Sequence, residues 1–106
     1  MDITQLLRFG VDRSASDILI TANSPPVVRL NGELTVTKAT ALTPTDTRSL
    51  VYSVLTDSQK AKFEAEKELD FSLSFQEKYR FRGNAYIQRG CVAANFRLIP
   101  SEIPSL

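Results

Sequence analysis

Four arginines fall in the stretch RFRGNAYIQRGCVAANFRLI, residues 80–99. A guanidinium is a permanently charged planar fork whose parallel N–H groups match two oxygens of a phosphate or carboxylate. Spacing decides whether such forks converge. With Arg89-Gly90 as the centre of a two-residue hairpin turn, Gln88 faces Cys91, Ile87 faces Val92 and, further back, Arg82 faces Arg97. Phe81, Gly83, Ala85 and Ile87 then share one face with Val92, Ala94, Phe96 and Leu98, while Arg80, Arg82, Asn84, Tyr86 and Gln88 share the other with Cys91, Ala93, Asn95, Arg97 and Ile99. A slip of one residue would turn Phe96 and Leu98 to the polar side, so the apolar pattern supports this parity. Like charges directly opposite on a sheet cost a few tenths to about 1 kcal/mol. Two readings follow. The face is solvated, its arginines paired with Asp70, Glu77 or a neighbouring helix; or Arg82 and Arg97 form an anion clamp, with Arg80, Arg89, Asn84 and Asn95 in support.

Other chemistries are excluded by composition. The 106 residues contain no histidine and one cysteine, Cys91, which rules out an internal disulfide and a Cys/His zinc site. We expect no metal site. None of the four glycines, Gly10, Gly32, Gly83 and Gly90, precedes a Lys-Ser or Lys-Thr pair, so the chain carries no GxxxxGK[ST] phosphate cradle and cannot by itself be an ATPase. The carboxylates Glu64, Glu66, Glu68 and Asp70 read as a solvated helix end. Asp17 reads as a turn residue whose carboxylate takes nearby backbone amides. A net charge of +1 gives no global pull toward nucleic acid or an anionic membrane, so any anion site must be local. No apolar run approaches the roughly 18 residues of a membrane span. MDITQLLRFG lacks the features of a signal peptide, and the chain reads as cytosolic.

The positioning elements follow from period and punctuation. Residues 2–13 read as a helix capped by Asp2, with Ile3, Leu6 and Leu7 on one face. SASD (14–17) turns into a strand with Ile18 and Ile20 inward, and NSPP stops it. VVRL-NG-ELTV is a hairpin centred on Asn31-Gly32. TPTD (43–46) starts a helix with Thr43 as N-cap, Pro44 at N1 and Asp46 at N3, followed by a buried stripe of Leu50, Val51, Val54 and Leu55. TDS (56–58) begins a second helix reaching about Glu66, anchored by Phe63. From Asp70 the period changes to two, with Phe71, Leu73 and Phe75 inward, and QEKY turns into the arginine hairpin. The order helix, three strands, two helices, three strands predicts an α+β domain, with a mostly antiparallel sheet of about five to six strands and helices on one face. Residues 1–99 form the domain, and 100–106, PSEIPSL, read as the start of a linker.

SASDILITANSPPVVRLNGEL, ELDFSLSF and YRFRGNAYIQRGCVAANFRLIPSEIPSL together resemble the N-terminal domain of type IV pilus retraction (twitching motility) ATPases of the PilT family, in the secretion ATPase superfamily. The resemblance implies a PAS-like regulatory and assembly domain of a hexameric motor. Its partners would be its own C-terminal ATPase domain, neighbouring subunits and an inner-membrane protein at the pilus base, with a cytoplasmic location there. No cofactor is implied for this chain; ATP and Mg2+ would belong to the parent protein. It also implies that Arg82 and Arg97 approach the γ-phosphate of a nucleotide held by a catalytic domain. Ser14 and Leu19 stand where the family often has glycine and histidine, which removes any role for that histidine here. Two other readings stay open: a freestanding PAS-like small-ligand sensor or protein-interaction module, and a nucleic-acid module stacking bases on Tyr79 and Tyr86. The near-neutral charge argues against the second, and neither nucleic acid nor direct membrane insertion is expected.

Overall fold

The computed structural model describes residues 2–99. Three helices and six strands run in the expected order: α1 (Ile3–Asp12), β1 (Asp17–Ile20), β2 (Val27–Leu30), β3 (Glu33–Val36), α2 (Pro44–Tyr52), α3 (Asp57–Glu66), β4 (Glu68–Phe75), β5 (Tyr79–Gln88) and β6 (Cys91–Ile99). Each helix begins at a reciprocal capping box. Asp2 pairs with Gln5, Thr43 with Asp46 and Thr56 with Gln59, each satisfying two amides that the first turn would leave open. Both two-residue hairpins use left-handed backbone at both turn positions: φ is 51° and 84° at Asn31-Gly32, and 54° and 77° at Arg89-Gly90. That is the turn whose twist matches paired strands.

The strands form one sheet in the order β3-β2-β1-β6-β5-β4, every neighbouring pair antiparallel. This is the α+β architecture read from the sequence. Alternate residues of each strand point into a common core. Ile18, Ile20 and Val28 join Phe71, Phe75, Phe81, Ala85, Val92, Ala94 and Phe96 from the sheet, and Leu6, Leu7, Leu50, Val51 and Phe63 meet them from the helices. All three helices therefore lie on one side of the sheet, and the arginine side is uncovered by them. Gly83 lies between Phe71 and Phe96 in one cross-strand row, and the two rings meet edge to face above it with centroids 6.0 Å apart.

Several local expectations shift. β4 starts at Glu68, two residues before Asp70. α2 ends at Tyr52, so Val54 is partly buried from outside the helix. Asp17 is a strand residue rather than part of a turn. Tyr79 packs against Phe75 on the core side, at a centroid distance of 6.5 Å, so it does not share a face with Tyr86. No helix among the described residues is long and apolar enough to cross a membrane. The expected linker start at 100–106 lies outside the described residues.

Two outcomes test this frame. A Cβ at position 83 would overlap the Phe71 ring, so Gly83→Ala should destabilise the chain by about 1–3 kcal/mol in urea titration. The Thr43 backbone N–H, and then its hydroxyl, hold the Asp46 carboxyl below the ordinary carboxylate range. A depressed folded-state value means that the cap's contribution is complete above the unfolded value and is lost as pH falls through the folded one. Asp46→Asn should therefore flatten the acid side of the stability–pH curve below about pH 4. An unchanged slope would remove this cap from the account.

Candidate anion-binding face

The hairpin register is the one predicted, and Arg82 is paired directly with Arg97. The pairing extends across the sheet. One outward row runs Leu34, Arg29, Asp17, Arg97, Arg82, Ser72 from β3 to β4. Its neighbour runs Val36, Val27, Leu19, Asn95, Asn84, Asp70. The arginine pair thus sits near the middle of an open sheet face, with a strand of uncharged or acidic side chains to one side and a carboxylate to the other.

That carboxylate is Asp17, and it corrects the turn reading. It is 4% exposed, and its oxygens serve arginines and a hydroxyl rather than backbone amides. Arg97 Nε donates to Oδ1 at 3.2 Å, Arg29 Nε lies 3.4 Å from Oδ2, and the Ser16 hydroxyl donates to Oδ2 at 3.1 Å. A buried charge is tolerated when partners replace its lost hydration. Here the Nε groups of two arginines on flanking strands do so, while their side chains stay 39% exposed for Arg29 and 67% for Arg97. Arg29 is anchored further by donating through a terminal nitrogen to the Gly32 carbonyl at 3.1 Å.

The remaining candidates divide clearly. Arg97 uses only Nε in its hydrogen bond to a described residue. Arg82 is exposed and makes no hydrogen bond or ion pair with the described residues. Arg80 turns toward the edge strand, donating to the Ser72 hydroxyl at 3.4 Å. Arg89 stays at the turn tip, seven positions along β5 from Arg82. Asn84 donates to Asp70 at 2.6 Å, so Asp70 is taken by a neutral amide rather than by an arginine. Asn95 Oδ1 is buried without a described partner. Of the supporting residues, then, Asn84 and Asn95 lie beside the pair, whereas Arg80 and Arg89 are directed elsewhere.

Chemically, the face offers two arginines on directly paired residues, with terminal N–H donors unused by the described residues, and one of them is held through Nε by Asp17. Such a surface can take one oxyanion between two forks. It holds no nucleophile–base pair and, among the described residues, no cluster of three His, Cys, Asp or Glu side chains that could hold a metal ion. Sequence reasoning missed Asp17 as a site residue because its partner is 80 residues away. The one available signal was parity: with Ile18 and Ile20 inward, Asp17 must point to the arginine side.

An open antiparallel sheet with helices on one face and paired arginines on the other defines an α+β module with a candidate oxyanion-binding face. Comparison with known proteins shows what this module is similar to. The chain is 37% identical over 103 residues to the type IV pilus retraction ATPase PilT of Pseudomonas aeruginosa, covering 97% of this chain and 30% of that protein. It is 36% identical over 106 residues to the type IV pilus ATPase PilU of the same organism, covering all of this chain and 28% of that one. The crystal structure of the pilus retraction motor PilT with bound ADP superposes with a TM-score of 0.90 at 40% identity, over 98% of this chain and 31% of that one. No family model matches. The chain matches the N-terminal domain of the PilT family of pilus ATPases, and it spans about a third of the length of the relatives it matches.

The like-charge pairing should register in stability. Arg82→Gln keeps the stem and removes the repulsion, so the chain should melt at the same temperature or slightly higher, by a few tenths of a kcal/mol. The difference should shrink in about 1 M salt, where the screening length falls to roughly 3 Å. Clear destabilisation at low salt would mean that Arg82 is held by the fold rather than presented by it.

Proposed function

We propose that this chain is the N-terminal module of a pilus retraction motor and that Arg82 and Arg97 meet the terminal phosphate of ATP held by a catalytic domain. The observation that carries the reading is the direct pairing of two arginines on an open sheet face with their terminal nitrogens unused. Their mutual repulsion is relieved when an oxyanion sits between them, so the face favours the ATP-bound over the phosphate-free state of the interface. Hydrolysis and phosphate release return the repulsion and loosen the contact, which converts a chemical step into domain motion. Arginine forks suit phosphate oxygens, and in this reading the metal and the phosphate cradle belong to the catalytic domain of the parent protein. In this reading the chain leads through residues 100–106 into that domain. The assembly is a homohexamer in the cytoplasm, at the inner-membrane base of the pilus, where it engages an inner-membrane partner.

A second reading has one observation in its favour. A cavity of about 570 Å³ lies between α1 and the β2–β3 hairpin, with Leu6, Phe9, Val28 and Leu30 among its walls and Arg13 and Lys38 at its edge. That volume suits a small organic ligand, as a PAS-like sensor would hold. Native mass spectrometry of freshly purified protein separates the readings, since a sensor should carry its ligand and a motor module should not.

For the first reading, Arg82→Ala and Arg97→Ala in the full-length protein should each lower ATP turnover by roughly ten- to a hundred-fold, below the ~10³–10⁵ attributed to arginine fingers of other nucleotide hydrolases. Hexamer assembly should survive in both. Wild-type turnover in both variants would end the proposal.

A further inference from the structure

We propose that Asp17 is a positioning residue for this face. It fixes Arg97 in the orientation that an incoming oxyanion needs and leaves Arg82 as the adjustable arm. The inference rests on the phosphate-meeting role given above and assigns that role its geometry.

A guanidinium has five N–H donors, one on Nε and four on the terminal nitrogens. A carboxylate that took both terminal nitrogens would occupy the fork and spend the arginine. Asp17 instead receives Nε, at 3.2 Å. The terminal nitrogens lie beyond Nε on the side chain, where Arg97 is 67% exposed. The bond therefore removes the freedom of the stem while preserving the part of the head that recognises phosphate. Ordering a long arginine on binding costs rotamer entropy, and here part of that cost is met before any anion arrives.

The carboxylate is itself held. Oδ1 faces Arg97, and Oδ2 is engaged by Arg29 Nε and the Ser16 hydroxyl. Arg29 is tied in turn to the Gly32 carbonyl at the β2–β3 turn. Rotation of Asp17 would break contacts on both sides. Charge points the same way: one arginine would balance a single buried carboxylate, and the structure provides two. The Arg29–Asp17–Arg97 group keeps one net positive charge, and Arg82 beside it adds a second. The brace therefore orients Arg97 without neutralising the face. Arg82, with no bond to a described residue, can adjust to an anion that the other arginine has already located.

Two measurements test this. In the 15N-labelled chain, Arg97 Nε–H should exchange with solvent more slowly than Arg82 Nε–H, and Asp17→Asn should bring the two rates together. Equal rates in the native chain would overturn the proposal without recourse to any variant. In the full-length protein, Asp17→Asn should lower kcat with little change in KM, by no more than Arg97→Ala does. The double variant Asp17→Asn/Arg97→Ala should lose nothing beyond Arg97→Ala alone, whereas Asp17→Asn should still cost activity in an Arg82→Ala background. Multiplying losses in the Arg97→Ala background would show that Asp17 acts elsewhere and overturn the assignment. If Arg97→Ala itself leaves turnover unchanged, the phosphate reading fails, and the exchange rates alone decide whether Asp17 positions Arg97.

Discussion

The register of the β5–β6 hairpin is the constraint from which the rest follows. Nine residue pairs join the two strands, and their alternation commits Phe81 and Phe96 to the core, at 1% and 0% exposure. A one-residue slip of β6 would turn Phe96 and Leu98 to the other face, at a cost of about 1.5–3 kcal/mol for the phenylalanine alone. The opposition of Arg82 and Arg97 costs at most about 1 kcal/mol. Burial wins by several-fold, so the core on one face dictates the charge arrangement on the other. The backbone positions of the two arginines cannot separate without unpacking the domain.

Topology then decides how that charge is tolerated. Strand β1 lies beside β6, which brings Asp17 level with Arg97 from the far end of the chain. The row Arg29, Asp17, Arg97, Arg82 places a single carboxylate among three cations, off-centre from the pair. Arg97 is stabilised by it and Arg82 is left unmatched. With the three helices confined to the opposite face, no element of the described fold competes for the exposed donors. In the proposed reading, an oxyanion between the two arginines supplies the negative charge that this row lacks.

Locally encoded features were legible. The cap at Asp2 and the capping box at Thr43 depend on residues three apart, as does the box at Thr56, which was not named from the sequence, and the turns at Asn31-Gly32 and Arg89-Gly90 depend on two adjacent residues. Period-two alternation was enough to pair Arg82 with Arg97 and to name Phe71, Phe75, Phe81, Ala85, Val92, Ala94 and Phe96 as core, whereas Ile87 of the same face is 37% exposed and the buried Leu69 was not named. The β1–β6 pairing was not legible, since nothing near Asp17 announces a partner 80 residues on. The same gap hid two further details of the outward face. Ala93 is buried there at 1% exposure despite its polar-side parity, and Leu34 and Val36 are exposed at 54% and 62% although both are apolar. Asn95 matched the expected face, but its unpartnered oxygen could not have been read from spacing. The likeness to the N-terminal domain of pilus ATPases was readable because several weak motifs fall along the whole chain.

The most direct measurement is a structure of the full-length protein with a non-hydrolysable ATP analogue. The account predicts that terminal nitrogens of both Arg82 and Arg97 lie about 2.7–2.9 Å from oxygens of the terminal phosphate, with Arg97 Nε still on Asp17. A nucleotide-bound structure in which this sheet face points to solvent, or in which Arg97 has left Asp17 to reach the phosphate, would contradict it.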